Sequence, residues 1–254
     1  MGLTGTLSVG RSALASHQVA IQVTSNNIAN ANTPGYTRQV TRLTPLRDQQ
    51  IAPGQFVGTG VGVDSISRAV DESLVARLRA SISGGSGAEV IRQWLGRVEA
   101  AFNELSDQDL STRLSTFFGA WSNLANKPQD IGLRQIVLQA GDAVANWMRD
   151  LRTQLSSLAT DVDERLQAAV NTADDLARKI AQINTEVVRA EGGSNAPANG
   201  LRDQRDVLLG ELAELINVQT RLQPSGAMNV YVNSEPLVME GDTQGVALRQ
   251  SLVQ

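Results

Sequence analysis

A mainly α-helical fold, a bundle of long helices with a thin β-rich connector near its start and a small β region beginning at its carboxy end, is what this sequence predicts. Three observations predict it. From about residue 130 to about 191 there is no proline, and Leu133, Val137, Val144, Leu151, Leu158, Val162, Leu166, Ala173, Ile180, Ile183 and Val187 keep three-and-four spacing. Near the amino end, Leu7, Leu14, Ile21 and Ile28 recur every seven residues. Between these regions the period changes to short β-forming runs punctuated by glycine and proline.

The amino-terminal repeat marks one helix of coiled-coil type. Leu3, Gly10, His17 and Thr24 occupy its alternate seam, so the apolar stripe is thin. A stripe this narrow buries too little area to offset the entropy of ordering the helix. The expectation is a segment disordered until something packs against it, with His17 as a packing residue. Ser25 to Gln39, SNNIANANTPGYTRQ, then ends the helix, with Asn26, Asn27, Asn30, Asn32, Pro34 and Gly35 directing the chain into a turn.

From Arg38 to Arg68, Val40, Thr41, Phe56, Val57, Val61, Val63 and Ile66 alternate with Pro45, Pro53, Gly54, Gly58, Gly60 and Gly62, which reads as short extended segments. Gly58 to Gly62, GTGVG, lacks the spacing of a phosphate-binding loop, and no Lys-Ser or Lys-Thr follows it. These glycines serve tight turns or close backbone approach.

Ser81 to Gly87, SISGGSG, reads as a flexible break. Ser86 and Glu89 then have capping-box spacing at the head of a helix carrying Ile91, Trp94, Leu95, Val98, Phe102 and Leu105. Ser106 and Asp109 start another, with Leu110, Leu114, Phe117, Phe118, Trp121 and Leu124, stopped by Pro128. The long third helix follows, roughly 60 residues and about 90 Å if unbroken. Trp94, Trp121 and Trp147 are expected at the centre of the bundle these helices form.

Glu191 to Gly200 is a loop by composition. The next helix buries Val207, Leu208, Leu212, Leu215 and Ile216, and its Arg202, Asp203, Arg205 and Asp206 are read as surface pairs at i, i+3 and i+4. Val218 to Leu222 and Met228 to Val232 form strands around a Pro224-Ser225-Gly226 turn, followed by Pro236 to Val238. The domains are therefore expected as 1–35, a terminal assembly helix; 36–86, the connector with a short helix; 87–217, the bundle; and 218–254, the start of a β-rich region.

Composition narrows the function classes. A net charge of −4 argues against a general nucleic-acid binder. The charge is uneven, because no acidic residue precedes Asp48 while Arg11, Arg38, Arg42 and Arg47 do. With no lysine there, a helix packing on other helices explains this start better than a membrane-surface helix. No window is apolar enough to span a membrane. Cysteine is absent, which excludes disulfides and thiolate chemistry. No catalytic, cofactor or metal constellation is recognisable: the single histidine has no partner motif, and Asp161, Asp163 and Glu164, or Asp174 and Asp175, lack the spacing of a calcium loop.

Asn26-Asn27-Ile28-Ala29-Asn30-Ala31-Asn32-Thr33-Pro34-Gly35-Tyr36-Thr37-Arg38-Gln39 resembles the amino-terminal signature of the bacterial flagellar axial proteins, those of rod, hook and hook-filament junction. Val57 to Arg79 and Leu201 to Val218 are similar to the same family, and Tyr36 to Gln39 is the form its junction members carry. The resemblance implies a structural, non-enzymatic subunit, secreted through the flagellar type III export apparatus and folding at the hook-filament junction. Its partners would be neighbouring copies, the hook protein and a filament-side junction protein. Leu3, Leu7, Leu14, Ile21, Asn26, Asn27, Ile28, Asn30, Asn32, Pro34, Gly35 and Tyr36 would be its assembly residues. The family also implies a carboxy-terminal helix pairing with the amino-terminal one and a nearby site for an export chaperone. Nothing after Ile216 in this sequence reads as that helix, so the expectation is that the partner of residues 3 to 28 is absent from this chain, through a shortened gene, a fragment or a subunit that relies on its neighbours. A rod or hook protein is the nearest alternative, disfavoured by the bundle over 87–216. An intracellular coiled-coil adaptor, or an enzyme with an unrecognised carboxylate site, are the others.

Overall fold

The computed structural model describes residues 3–102, 109–193 and 196–248. Along the chain run α1 (Leu3–Ala29), β1 (Gln39–Pro45), β2 (Gln49–Ala52), β3 (Gln55–Val57), β4 (Val61–Arg68), α2 (Glu72–Phe102), α3 (Leu110–Asn126), α4 (Ile131–Glu191), α5 (Asn199–Leu215), β5 (Val218–Leu222), β6 (Met228–Val232), β7 (Glu235–Met239) and β8 (Asp242–Thr243). The fold is mainly α, as the periodicities predict, and α4 continues unbroken for 61 residues. The chain packs as two compact units, one of residues up to Gly84 with those from Asn171 onward, the other Gly85–Val170. Their boundaries fall inside α2 and inside α4.

The first unit holds the core. Its centre is Ala173, Leu176, Ala177 and Ile180 of α4 and Leu209, Leu212 and Ala213 of α5, with Val218, Met228, Val230, Leu237 and Val238 of the sheet. The sheet is an antiparallel meander in the order β5-β6-β7-β8. Its first turn is Pro224-Ser225-Gly226, and its second is a two-residue turn at Asn233 and Ser234, both at positive φ, which suits the strand twist. The buried face of α5 is rotated from the expected one. Arg205, Leu209, Leu212 and Ala213 are inside, whereas Val207 and Leu215 are exposed, because the sheet and α4 cover α5 from the side that carries Arg205.

A buried polar pair ties this core to its sheet. The Asn184 carboxamide donates to Met228 O (2.8 Å) and accepts from Met228 N (2.9 Å), satisfying the first residue of β6 from the side of a helix. Arg205, fully buried, donates to Asn184 Oδ1 and to Gly226 O. Burial pushes its guanidinium down to about 10, so the charge stays in the core at neutral pH.

α1 is a docked helix, contrary to the expectation of a disordered segment. The face that docks is the small one, with Val9, Ser12, Ser16 and Val23 toward the antiparallel β1–β4 hairpin, and His17, expected to pack, is exposed. Close approach of small side chains, with hydrogen bonds to the hairpin backbone, replaces the area that the leucine stripe does not supply.

Three further expectations are corrected. Ser81 to Gly87 is no break: α2 runs through it, capped by Asp71, which accepts from Ser73 N and Leu74 N. Ser86 is therefore mid-helix, and Glu89 reaches forward to Arg92 and Gln93 instead of back. Three glycines cost a helix about 1 kcal/mol each, but a break would leave two more ends with orphan N–H and C=O groups. Asp109 caps α3 as expected, accepting from Thr112 N at 2.7 Å; Leu105 and Ser106 lie outside the described residues. The tryptophans do not mark a buried centre, since Trp94 and Trp147 are half-buried and Trp121 is 51% exposed. What α3 and α4 bury in this unit is small, Ala120 and Val137, with Gly141 against the Phe117 ring, so the larger rings lie beside the seam.

Candidate functional site

The asparagine-rich stretch builds a joint between α1 and β1. Asn27, near the end of α1, donates through Nδ2 to Gln39 O (2.8 Å) and accepts through Oδ1 from Gln39 N (2.9 Å) and from the Tyr36 hydroxyl (2.8 Å). One side chain thus satisfies both main-chain groups of the first residue of β1. This is the arrangement Asn184 makes with β6. An aspartate has no donor for the carbonyl, and a glutamine would place its amide one methylene further out.

Asn30 closes the helix end. Its Nδ2 donates to Asn26 O and Asn26 Oδ1 (both 3.0 Å), and its Oδ1 accepts from Thr33 Oγ1. Asn32 and Pro34 are exposed in the turn that follows. Gly35 has φ +79°, and a Cβ there would collide with the Val207 side chain on α5. Both conformation and space require glycine at this position.

Midway along α1, Ser16 Oγ donates to Val61 O (3.1 Å) and Ser12 Oγ accepts from Val61 N (3.3 Å). Gly60, at φ +117°, brings the connector against Ser12 and the Val9 backbone, the close approach expected of these glycines. α1 is therefore clasped to the hairpin at its middle and near its carboxy end by side chains bonding main chain. From Ala20 past the Asn27 clasp runs a groove of about 640 Å³, walled by Ala20, Val23, Ile28, Tyr36 and Val40.

The joint is tied to α5 by charges the sequence presents as surface pairs. Asp203 accepts from Thr37 N (3.1 Å) and from Arg68 Nη1 (2.9 Å). Arg68 also donates to Asp206 (2.6 Å), which accepts from Arg79 Nη2 (2.7 Å). Arg68 and Arg79 are nearly buried, so these are ion pairs between elements far apart in sequence, not helix-surface ones. Burial acts to lower the Arg68 pKa, but Asp203 and Asp206 outweigh it and hold the group above its ordinary value. Arg202 likewise pairs off its helix, with Glu191 at 2.7 Å. Heptad and turn patterns point to Asn27 and Gly35; only the i, i+4 spacing of Ser12 and Ser16 hints at the docked face, and no sequence signal marks Arg68 or Arg79.

The leucine stripe is left uncovered. Leu3 is 90% exposed, Leu14 72% and Ile28 72%, with Leu7 and Ile21 between them on the same face. Among the described residues no cluster of side chains could hold a metal ion, and no helix is long and apolar enough to cross a membrane.

A joint held largely by side chains that bond main chain, beside long apolar helix faces left uncovered, is the geometry of a structural, helix-rich framework. The comparisons with known proteins give its family. Residues 95–252 match the family described as the flagellar hook-associated protein FlgK helical domain, and the chain belongs to that family. Residues 7–37 match the flagella basal body rod protein family. Flagellar hook-associated protein 1 of Escherichia coli K12 is 28% identical over 233 residues, 91% of this chain and 42% of that protein. Its counterpart in Bacillus subtilis 168 is 28% identical over 239 residues, 91% of this chain and 46% of the relative. The chain thus spans less than half the length of the curated relatives it matches. In fold it is similar to the flagellar hook junction protein FlgK from Burkholderia pseudomallei, with a TM-score of 0.58 at 24% identity over 66% of this chain and 29% of that one.

Proposed function

We propose that this chain is a structural, non-enzymatic part of the bacterial flagellum at the junction of hook and filament, where it packs in a helical array of its own copies. The hook protein lies on one side of that array and a filament-side junction protein on the other. Delivery is by the flagellar type III export apparatus, and no nucleic acid or membrane insertion is involved. Family membership supports the class of role, and the exposed stripe of Leu3, Leu7, Leu14, Ile21 and Ile28 on a helix already clasped elsewhere is the observation that carries the packing. Asn26, Asn27, Asn30, Asn32, Pro34, Gly35 and Tyr36 set the angle at which that stripe is presented.

Two experiments test this. Expressed in a flagellated strain lacking its own hook-associated protein 1, the chain is recovered from the culture medium, and removal of residues 2–35 retains it in the cell. Unchanged secretion after that deletion contradicts the export reading. Replacing the matching segment of the Escherichia coli protein with this chain gives hooks bearing filaments by electron microscopy; bare hooks with a secreted chimera contradict the junction role.

A further inference from the structure

The β2–β3 hairpin pairs with neither β1 nor β4. It forms a separate two-stranded sheet, too small to be stable alone, yet Phe56 on it is 62% exposed and Ile51, at its bulge, 54% exposed. The groove between α1 and β1 has the opposite character, a concave apolar wall with unused polar groups. The β1–β4 register turns the main-chain N–H and C=O of Gln39 and Thr41 away from β4. Asn27 takes those of Gln39, while those of Thr41 have no partner among the described residues, and the Thr41 hydroxyl is buried without one. An open strand edge beside an apolar groove accepts an extended segment.

Charge indicates which segment. The groove carries Arg38 at its rim and no acidic side chain, and the first acidic residue of the whole sequence is Asp48, at the base of the hairpin. Neither Arg38 nor Asp48 makes an ion pair among the described residues.

We propose that the β2–β3 hairpin of one copy seats in the α1–β1 groove of the next, with Phe56 between Val23 and Val40, a main-chain contact to Thr41, and Asp48 facing Arg38. Tooth and groove are different patches of one molecule, so the contact is heterologous and propagates into a ring or a helical array instead of closing a two-fold dimer. This rests on the reading that copies of the chain assemble, and it names the surfaces that meet.

The chain has no cysteine, so the contact can be trapped by disulfide formation. Phe56→Cys and Val40→Cys, both at exposed positions, are purified separately, mixed and oxidised. The expected product is a dimer carrying one of each, far more abundant than when Ser122→Cys replaces Phe56→Cys. Adding Arg38→Asp to the groove variant lowers its yield about tenfold, and Asp48→Arg on the hairpin variant restores it. Yields no higher than the Ser122→Cys control, or no rescue by the charge swap, overturn the contact. If Leu14→Cys chains cross-link to one another while the hairpin–groove pair does not, this contact fails and assembly stands. If neither cross-links, both fail.

Discussion

The two packing units of this chain use the same kind of amphipathic helix to different ends. In the unit that contains the sheet, Ile180, Val187, Leu209, Leu212, Val230 and Val238 are all fully buried. In Gly85–Val170 only Ala120 and Val137 are buried apolar residues among those described, while Ile91, Leu95, Phe118 and Leu138 are each more than 60% exposed. α1 follows the second pattern, with its leucines outward and Ser12 and Ser16 inward. Periodicity identifies an apolar face but does not say what covers it. Where a sheet supplies the cover, the face becomes core; where none does, it becomes surface available to other chains.

Substitutions can break or sharpen this contrast. Leu212→Ala, in the filled core, is expected to cost about 2–5 kcal/mol in urea unfolding, whereas Leu14→Ala on the open stripe stays within about 0.5 kcal/mol. Equal losses at both positions would show that α1 is packed as core after all. The charged tie between joint and α5 comes next: Asp203→Ala removes the partner of Thr37 N and one partner of Arg68, at about 2–3 kcal/mol. A surface pair of the kind read from spacing would lose under about 1 kcal/mol, so the same measurement separates the two descriptions.

Gly84→Ala and Gly85→Ala test the continuity of α2. A Cβ at either position meets open space, so each is expected to raise stability by about 1 kcal/mol. Destabilisation would mean that the SISGGSG segment is not helical. The smallest effect is a pH dependence. Burial raises the Glu191 pKa, but Arg202 and the Ala198 N–H outweigh it and hold the carboxyl below its usual range. A depressed folded pKa gives stability that is complete above the unfolded value and is lost as pH falls through the folded one. Melting temperature should therefore fall on acidification below about pH 4.5, less steeply in Glu191→Gln.

Much of the fold is legible in the sequence because helix period, caps and turn residues are local. Asp109, Pro128 and the Pro224-Ser225-Gly226 turn act within a few positions of themselves, and the structure has α3, its end and the β5–β6 turn where they indicate. What is not legible depends on partners far along the chain. Arg202, Asp203, Arg205 and Asp206 have helix spacing that suits surface pairs, and only their distance in sequence from Glu191, Arg68, Asn184 and Arg79 hides the pairs they make. The tryptophans mislead for a related reason, since residue type predicts burial only where another element closes over it. At the joint, Asn27 and Gly35 stand out in sequence, but the main-chain groups of Gln39 and Val61 that α1 holds carry no side-chain signal.

The central claim is that α1 is a helix with one face clasped and the other free. Hydrogen exchange of the isolated chain, followed by mass spectrometry, tests it most directly. The account predicts that amides from Val9 to Asn27 are protected to about the level of β4, and that Asn27→Ala together with Ser16→Ala removes this protection while the core around Leu212 keeps its own. Exchange of α1 in the unsubstituted chain as fast as in the Leu46–Asp48 connection would contradict it.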